Sequence, residues 1–395
     1  MTMLASPPVP VGGSAAPPTV EEAMRRAVAV ATFAAAHAAE RDATGVFPHD
    51  EFDRLRAAGL FAAPLPRTHG GLGLGTEPGL TGPLLELLAH IGRGSLPVGR
   101  VYEGHVNALQ LVNQFGTPAQ RTQFAADAHA GHLFAVWNAG AEDDVRLEPL
   151  PDGGMRMIGA KTFCSGGDAV TRPFVPGART DGAGWQMVIL PMGRVETRHD
   201  RAWWTPNGMR ATTSYKIDFT GVEIPPEHVV GGPGDYLRQP WFSGGAIRFA
   251  AVQLGGGQAL YDATRRYLRG MGRTGDPYQV ERAAQMTLRL EGARLFLARA
   301  AEMNDDPTRT SEEIVAWANL TRTAVEQTCM ETMAHTERMI GVRGLMPPLP
   351  MERIVRDLTI YLRQPAPDAS FMGAGRHYLD AAPYFDPTIT EDDDG

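Results

Sequence analysis

The chain reads as an α+β protein of several domains: a helical N-terminal domain, a central β-barrel or sandwich, and a C-terminal four-helix bundle. Three observations predict this. Apolar residues recur at helical spacing up to about residue 130 and again from about 243 to 380. Between 131 and 232 the pattern changes to short segments that alternate with period two. Gly and Pro punctuate that middle stretch, at Pro151-Asp152-Gly153-Gly154, Asp181-Gly182 and Pro206-Asn207-Gly208. A chain of 395 residues is also too long for one simple core.

Residues 1–19 are rich in Ala, Pro, Gly and Ser and are expected to be disordered. The helical domain then runs over 20–130. Glu21 to Ala39 is alanine-rich and periodic, and Pro48 to Ala58 is a second helix stopped by Gly59. Pro83 to His90 and Gly104 to Phe115 follow, with the glycine-rich stretch Gly70-Gly71-Leu72-Gly73-Leu74-Gly75 between. In the β-domain, 131–232, the clearest strands are Met155 to Ile158, Gln186 to Leu190 and Tyr215 to Phe219. Thr220-Gly221 breaks the last of these, and Val222-Glu223-Ile224 is a short strand stopped by two prolines. The bundle spans 240–382. Ala283, Met286, Leu290, Ala293, Leu297 and Ala300 form one buried stripe, and Ile314, Trp317, Thr321, Ala324 and Thr328 another. Asp306-Pro307 separates them, and the tail 383–395 ends in a solvated acidic run.

Composition excludes several classes. Apolar content of 43% and charged content of 21% are ordinary for a globular protein, and a net charge of −8 gives no reason to expect nucleic acid. Cys164 and Cys329 are the only cysteines, so a disulfide framework or structural zinc site is not expected and a reducing cytoplasm fits. No apolar run reaches membrane-spanning length, and no basic segment followed by an apolar block suggests a secretory signal. His129-x-x-His132 lacks the cysteines or carboxylates of a metal site, so no metal is expected. Gly71-x-Gly73-x-Gly75 has no preceding apolar strand, and Thr76-Glu77-Pro78 follows where a helix would begin, so it is a poor dinucleotide loop.

Several phrases, in order, resemble the acyl-CoA dehydrogenase family. They are Phe61-Ala62-Ala63-Pro64 with Gly70-Gly71, Phe115-Gly116-Thr117-Pro118-Ala119-Gln120-Arg121, Gly159-Ala160-Lys161-Thr162-Phe163, and Glu352-Arg353-Ile354-Val355-Arg356-Asp357-Leu358. The most telling is Gly208-Met209-Arg210-Ala211-Thr212-Thr213-Ser214 leading to Phe219-Thr220-Gly221-Val222-Glu223-Ile224-Pro225, which resembles the family's "G-x-R-x-S/T" turn and "F-x-x-V-x-V-P". The resemblance covers about residues 45 to 380 and implies the α, β, α order already read from periodicity. It also implies FAD lying between the β-domain and the bundle and reaching a neighbouring subunit, hence a homodimer or homotetramer.

By this resemblance Lys161-Thr162-Phe163-Cys164-Ser165-Gly166-Gly167 stands for "K-x-W-I-T/S-N-G", with Phe163 as the ring laid on the flavin and Ser165 as the hydroxyl that bonds it. Val136-Trp137-Asn138 stands for "L-T-E", placing Trp137 and Asn138 at the flavin edge. Arg273 resembles the Arg that grips the FAD pyrophosphate, though it stands two residues closer to Gly275 than the pattern and reads equally as a surface residue. Arg338, Gly341 and Gly344 resemble "Q-x-x-G-G-x-G", a segment approaching the neighbouring chain's cofactor, with Arg in place of Gln.

Dehydrogenation in the family needs a Glu base, in "I-Y-x-x-x-E-G-T" after "R-D". Counted from Arg356-Asp357, Pro365 takes its place, and proline also lacks the N–H that would bind a thioester carbonyl. A minority of the family carries the Glu near the start of the first bundle helix, where Gly245 stands here. Asp368 is a weak replacement and reads better as a helix cap. Tyr102-Glu103-Gly104 imitates the tripeptide but falls in the wrong domain. Three readings stay open. One is an FAD-dependent oxidoreductase acting on an acyl-CoA or similar thioester with an atypical base, passing electrons to a transfer partner. Another is a flavin-dependent monooxygenase of the same fold, supplied with reduced flavin by a partner reductase and acting on a hydrophobic substrate. The last is a degenerate flavin-binding protein without catalysis.

Overall fold

The computed structural model describes residues 16–380; the expectations for the acidic tail and for residues 1–15 lie outside the described residues. The N-terminal part contains α1 (Val20–Thr44), α2 (His49–Ala57), α3 (Thr81–Gly94), α4 (Leu96–Phe115) and α5 (Pro118–His129). Each start follows from local chemistry. Thr19 caps α1 by accepting from the Glu22 N–H, and Thr117 and Gln120 form a reciprocal capping box on α5. The stretch from Gly70 to Gly75 is an irregular turn, with Gly70, Gly73 and Gly75 at positive φ.

The middle of the chain builds two sheets. The larger contains β1 (Phe134–Val136), β2 (Arg146–Pro149), β3 (Met155–Ile158), β5 (Arg172–Arg179), β6 (Trp185–Ile189), β9 (Glu223–Ile224) and β10 (Val229–Val230). Its order is β10-β6-β5-β2-β3-β9, and β1 joins parallel to β5. The smaller sheet runs β4 (Ala160–Cys164), β8 (Tyr215–Asp218), β7 (Arg198–Asp200). Its β4–β8 pair slips between Lys161 and Cys164, and that bulge matters below.

The C-terminal helices are α6 (Ala246–Gly270), α7 (Pro277–Asp305), α8 (Ser311–Gly344), α9 (Met351–Tyr361) and α10 (Pro367–Asp380). On α7, Met286, Leu290, Ala293, Leu297 and Ala300 are buried, as their spacing predicts. The predicted stripe on α8 buries Thr321 and Thr328 most fully. Helices α3 and α6 cross so closely that side chains are excluded: a Cβ on Gly255 would stand 2.1 Å from the Ala89 carbonyl oxygen, and one on Gly92 would stand 2.3 Å from that of Val252. One cluster of buried side chains runs from Ala23 on α1 through Leu147, Met157 and Phe219 to Leu358 on α9, so helical and β parts share a core. Among the described residues no helix is long and apolar enough to cross a membrane.

Candidate active site

The turn 207–214 is where the β part meets the C-terminal helices. Gly208 lies directly on α9, and a Cβ there would stand 2.1 Å from the Arg356 carbonyl oxygen. The next residue, Met209, adopts φ 55° and donates its N–H to Asp357 Oδ1 at 2.6 Å. Burial raises the Asp357 carboxyl to about 6, against the opposing pull of Arg353 and the Met209 N–H. Arg356 bonds the Asn207 carbonyl, Glu352 and, at 2.6 Å, Asp42 on α1. One short turn therefore ties α1, α9 and the β part together.

The same turn holds a directed series of hydroxyls. Thr212 Oγ1 donates to the Met209 carbonyl at 2.8 Å. A hydroxyl carries one proton, so the 2.7 Å contact between Thr212 and Ser214 is a bond donated by Ser214. Ser165 in turn donates to Ser214 at 2.9 Å. The series ends at Ser165 Oγ, which keeps lone pairs and no proton to offer. Backbone bonds from Gly166 N–H to Thr212 O (2.7 Å) and Gly167 N–H to Thr213 O (3.1 Å) hold the two segments together.

Beside Ser165 the backbone is strained. Phe163 sits in the bulge of β4 at φ 52°, and Thr213, a β-branched residue, lies at φ 44°. The bulge turns the Phe163 ring outward, 50% exposed, with its face edge-on to Trp203 at 4.8 Å and Trp204 at 6.1 Å. Trp204 also borders a groove of about 630 Å³ shared with Arg201, Arg210, Thr213 and Tyr215. Arg201 is aimed by a two-pronged bond to Asp168 (2.8 and 2.9 Å), and His199 Nδ1 donates to the same carboxylate at 2.9 Å. Burial alone would raise the Asp168 carboxyl, but these bonds bring it down to about 2.

The residues singled out from sequence separate into groups. Phe163 and Ser165 lie two residues apart at the end of β4, Phe163 half-exposed and Ser165 buried. Asn138 is exposed, and its carbonyl accepts from Lys161 Nζ at 3.2 Å; the same ammonium bonds Asp144 at 2.7 Å. Trp137 requires a correction: it is 1% exposed, and its indole N–H donates to the Ser165 carbonyl at 3.0 Å. The chain turns it into the core, where it supports Ser165 from behind and offers no surface to a cofactor. Arg273 is exposed and paired with Asp276 at 2.9 Å, in the turn before α7. Arg338 is exposed near the end of α8, where Gly341 breaks the helix at φ 59° and Gly344 is buried. Asp368 is exposed on the first turn of α10.

Neither position that the sequence resemblance assigns to the base carries a carboxylate. Pro365 is exposed, beside Ala366 at φ 52°, and Arg322 grips its carbonyl at 3.0 Å. At Gly245 an added Cβ would meet Arg248 Nη2 at 2.6 Å. Glu103 is buried and paired with Arg100 at 2.7 Å. His129 and His132 have separate partners, the His69 carbonyl at 2.9 Å and Thr171 Oγ1 at 3.0 Å. Sequence reasoning passed over Ser214, Thr212, Arg201, Asp168 and Arg248. The Thr-x-Ser within the turn and the Trp203-Trp204 pair were the available signals; Arg248 had none.

Comparison with known proteins follows this geometry. The descriptions "acyl-CoA dehydrogenase, N-terminal domain" and "acyl-CoA dehydrogenase, C-terminal domain" match residues 19–132 and 247–363, together more than half of the chain. Dibenzothiophene monooxygenase of Rhodococcus erythropolis is 26% identical over 383 residues, covering 87% of this chain and 90% of that protein. Among solved structures, FMN-bound TdsC from Paenibacillus sp. A11-2 superposes with a TM-score of 0.82 at 20% identity, over 90% of this chain and 97% of that one. Butyryl-CoA dehydrogenase from Megasphaera elsdenii gives 0.80 at 19% identity, over 91% and 98%.

Proposed function

The chain belongs to the acyl-CoA dehydrogenase family, and we propose that within it this protein is a flavin-dependent monooxygenase rather than a dehydrogenase. The observation that carries this reading is the absence of a carboxylate at both base positions, with an exposed Pro365 at one and the Arg248 guanidinium over Gly245 at the other. Loss of a positioned base typically slows proton abstraction by about a hundred- to ten-thousand-fold. The relative named dibenzothiophene monooxygenase supports the alternative chemistry.

The residues present fit a flavin ring. Phe163 offers an exposed aromatic face, and Ser165 supplies a hydroxyl oxygen at its side. A reduced flavin, when bound, supplies the electrons that activate dioxygen, one oxygen atom going to substrate and one to water. Ser165 Oγ, left as an acceptor by the hydroxyl series, matches a ring N–H, which the reduced flavin carries and the oxidised ring nitrogen lacks. Trp203 and Trp204 pack against the Phe163 ring, and Arg201 places a fixed positive charge at the groove. The fit concerns the isoalloxazine common to FAD and FMN; Arg273, which the resemblance aligns with a pyrophosphate-binding Arg, is paired with Asp276. A partner reductase supplies reduced flavin, the substrate is a compact hydrophobic molecule, and a second copy of the chain covers exposed apolar residues of α7 such as Leu288 and Leu295.

An anaerobic visible spectrum of the flavin-loaded protein with acyl-CoAs of graded length tests this reading. No bleaching is expected, and reduced flavin with ¹⁸O₂ should label an aromatic thioether or heterocycle. Bleaching of the flavin band by any acyl-CoA would overturn it.

A further inference from the structure

Arg248 lies in the first turn of α6 and has an unusual set of neighbours. Its Nε bonds Asn107 Oδ1, and the Asn107 amide donates to Glu103 Oε1. The other Glu103 oxygen takes Arg100 at 2.7 Å, so both oxygens of that buried carboxylate are engaged. Among the described residues Arg248 forms no ion pair, and its two terminal nitrogens have no protein acceptor. Burial lowers the guanidinium to about 10, with Glu103 opposing, and it stays charged at neutral pH. Arg248 is partly exposed, and its terminal nitrogens face open space where a ligand oxyanion can meet them.

The guanidinium opens onto a cavity of about 330 Å³ between α4, the start of α6 and the end of α7. Gly245 and Trp241 form an apolar wall, and the Gln114 and Asn113 side chains line it with no side-chain hydrogen bond among the described residues. Two carboxylates also border it, but each is already satisfied. Glu77 accepts from the Arg67 N–H at 2.8 Å and faces its guanidinium at 3.4 Å. Asp305 caps α3, accepting from Thr81 N–H at 3.1 Å and from its hydroxyl at 2.6 Å. What remains is one free guanidinium edge, idle amide groups and an indole, in a space the size of a small organic molecule.

We propose that this cavity binds a small organic acid, its carboxylate or sulfonate received by the terminal nitrogens of Arg248 and its apolar body by Trp241 and Gly245. The inference goes beyond the monooxygenase reading: it concerns a ligand of this cavity, whose lining includes neither Phe163 nor Ser165, and does not depend on the reaction. A side chain at Gly245 would displace the end of the Arg248 side chain, whose Nη2 would stand 2.6 Å from an added Cβ. A two-pronged guanidinium–oxyanion contact is among the stronger polar interactions and is specific in geometry.

Calorimetric titration of the full-length protein with benzoate, benzenesulfonate and benzyl alcohol tests this. At least one of the two acids should bind about tenfold or more tightly than the neutral alcohol, and whichever acid binds tighter identifies the class. R248Q should lose that preference while its affinity for benzyl alcohol is unchanged; R248K, which keeps the charge without the fork, should retain part of it. Equal binding of acids and alcohol by the wild type, or an undiminished preference in R248Q, would overturn the proposal. Should R248Q fail to fold, the R248K and wild-type preferences are compared, and identical values count against it. The titration involves no turnover, so its failure and that of the oxygenation assay are separate results.

Discussion

Ser165 ends a series of three hydroxyls with one proton each, and under the proposed flavin reading the direction of that series favours one redox form. Because Thr212 is committed to a carbonyl, Ser214 and Ser165 must each donate inward, which leaves the buried Ser165 Oγ with acceptor capacity only. S165A should therefore weaken binding of reduced flavin by about tenfold, the equivalent of one neutral hydrogen bond, and alter binding of oxidised flavin far less. Anaerobic titrations of both redox forms check this, and equal losses would refute the direction assigned to the series. Asp168 makes a second prediction, with a definite sign. Its folded pKa of about 2 lies below the value near 3.9 expected for an unfolded aspartate, so its bonds to His199 and Arg201 stabilise the fold above about pH 4 and fade as pH falls toward 2. The pair is partly exposed, so the contribution is about 1 kcal/mol. Melting temperatures of wild type and D168N should differ at pH 6 and converge near pH 2; a gap constant with pH would contradict the assignment.

Among the elements, the contact of the 207–214 turn with α9 has the least tolerance. The Gly208 backbone touches that of α9, and the Met209 N–H bond to Asp357 depends on the approach. G208A should force the turn away from α9 and destabilise the protein by about 2 kcal/mol or more, through overpacking and a lost buried hydrogen bond. A thermal melt checks the stability, and weaker flavin binding should accompany it because Thr212 and Ser214 sit on the same turn. Retention of wild-type melting would mean that the turn has room the geometry does not suggest. Sequence foresaw this turn as a motif but not its reason. Its glycine answers to the carbonyl of Arg356, 148 residues further along, and no local pattern encodes that distance.

For the whole molecule, the exposed apolar side chains of α7, Leu288 at 73% and Leu295 at 59%, sit seven residues apart on one helix face. Sedimentation should give a mass that is a multiple of 42.6 kDa, and L288E/L295E should lower it. A monomer at micromolar concentration would leave that face without the proposed second copy. The continuous core from α1 to α9 also means that the β part is not insulated from the helices, so a change at the turn is expected to be felt by both.

The order of helices and strands was legible because periodicity is local: the α7 stripe, the capping box at Thr117 and the alternation at Tyr215 to Asp218 each follow from a few neighbouring residues. The missing carboxylates at Pro365 and Gly245 were legible too, since a side chain that is absent from a position cannot be restored by folding. Trp137 was misplaced because the resemblance supplied a position and not a direction, and only packing against Phe219 and Ser165 decided that its ring turns inward. The hydroxyl series, the salt-bridged Asp168 and the unpaired Arg248 were likewise decided by tertiary structure. Each depends on residues far apart in the chain meeting at hydrogen-bonding distance, and that proximity is a property of the packed core.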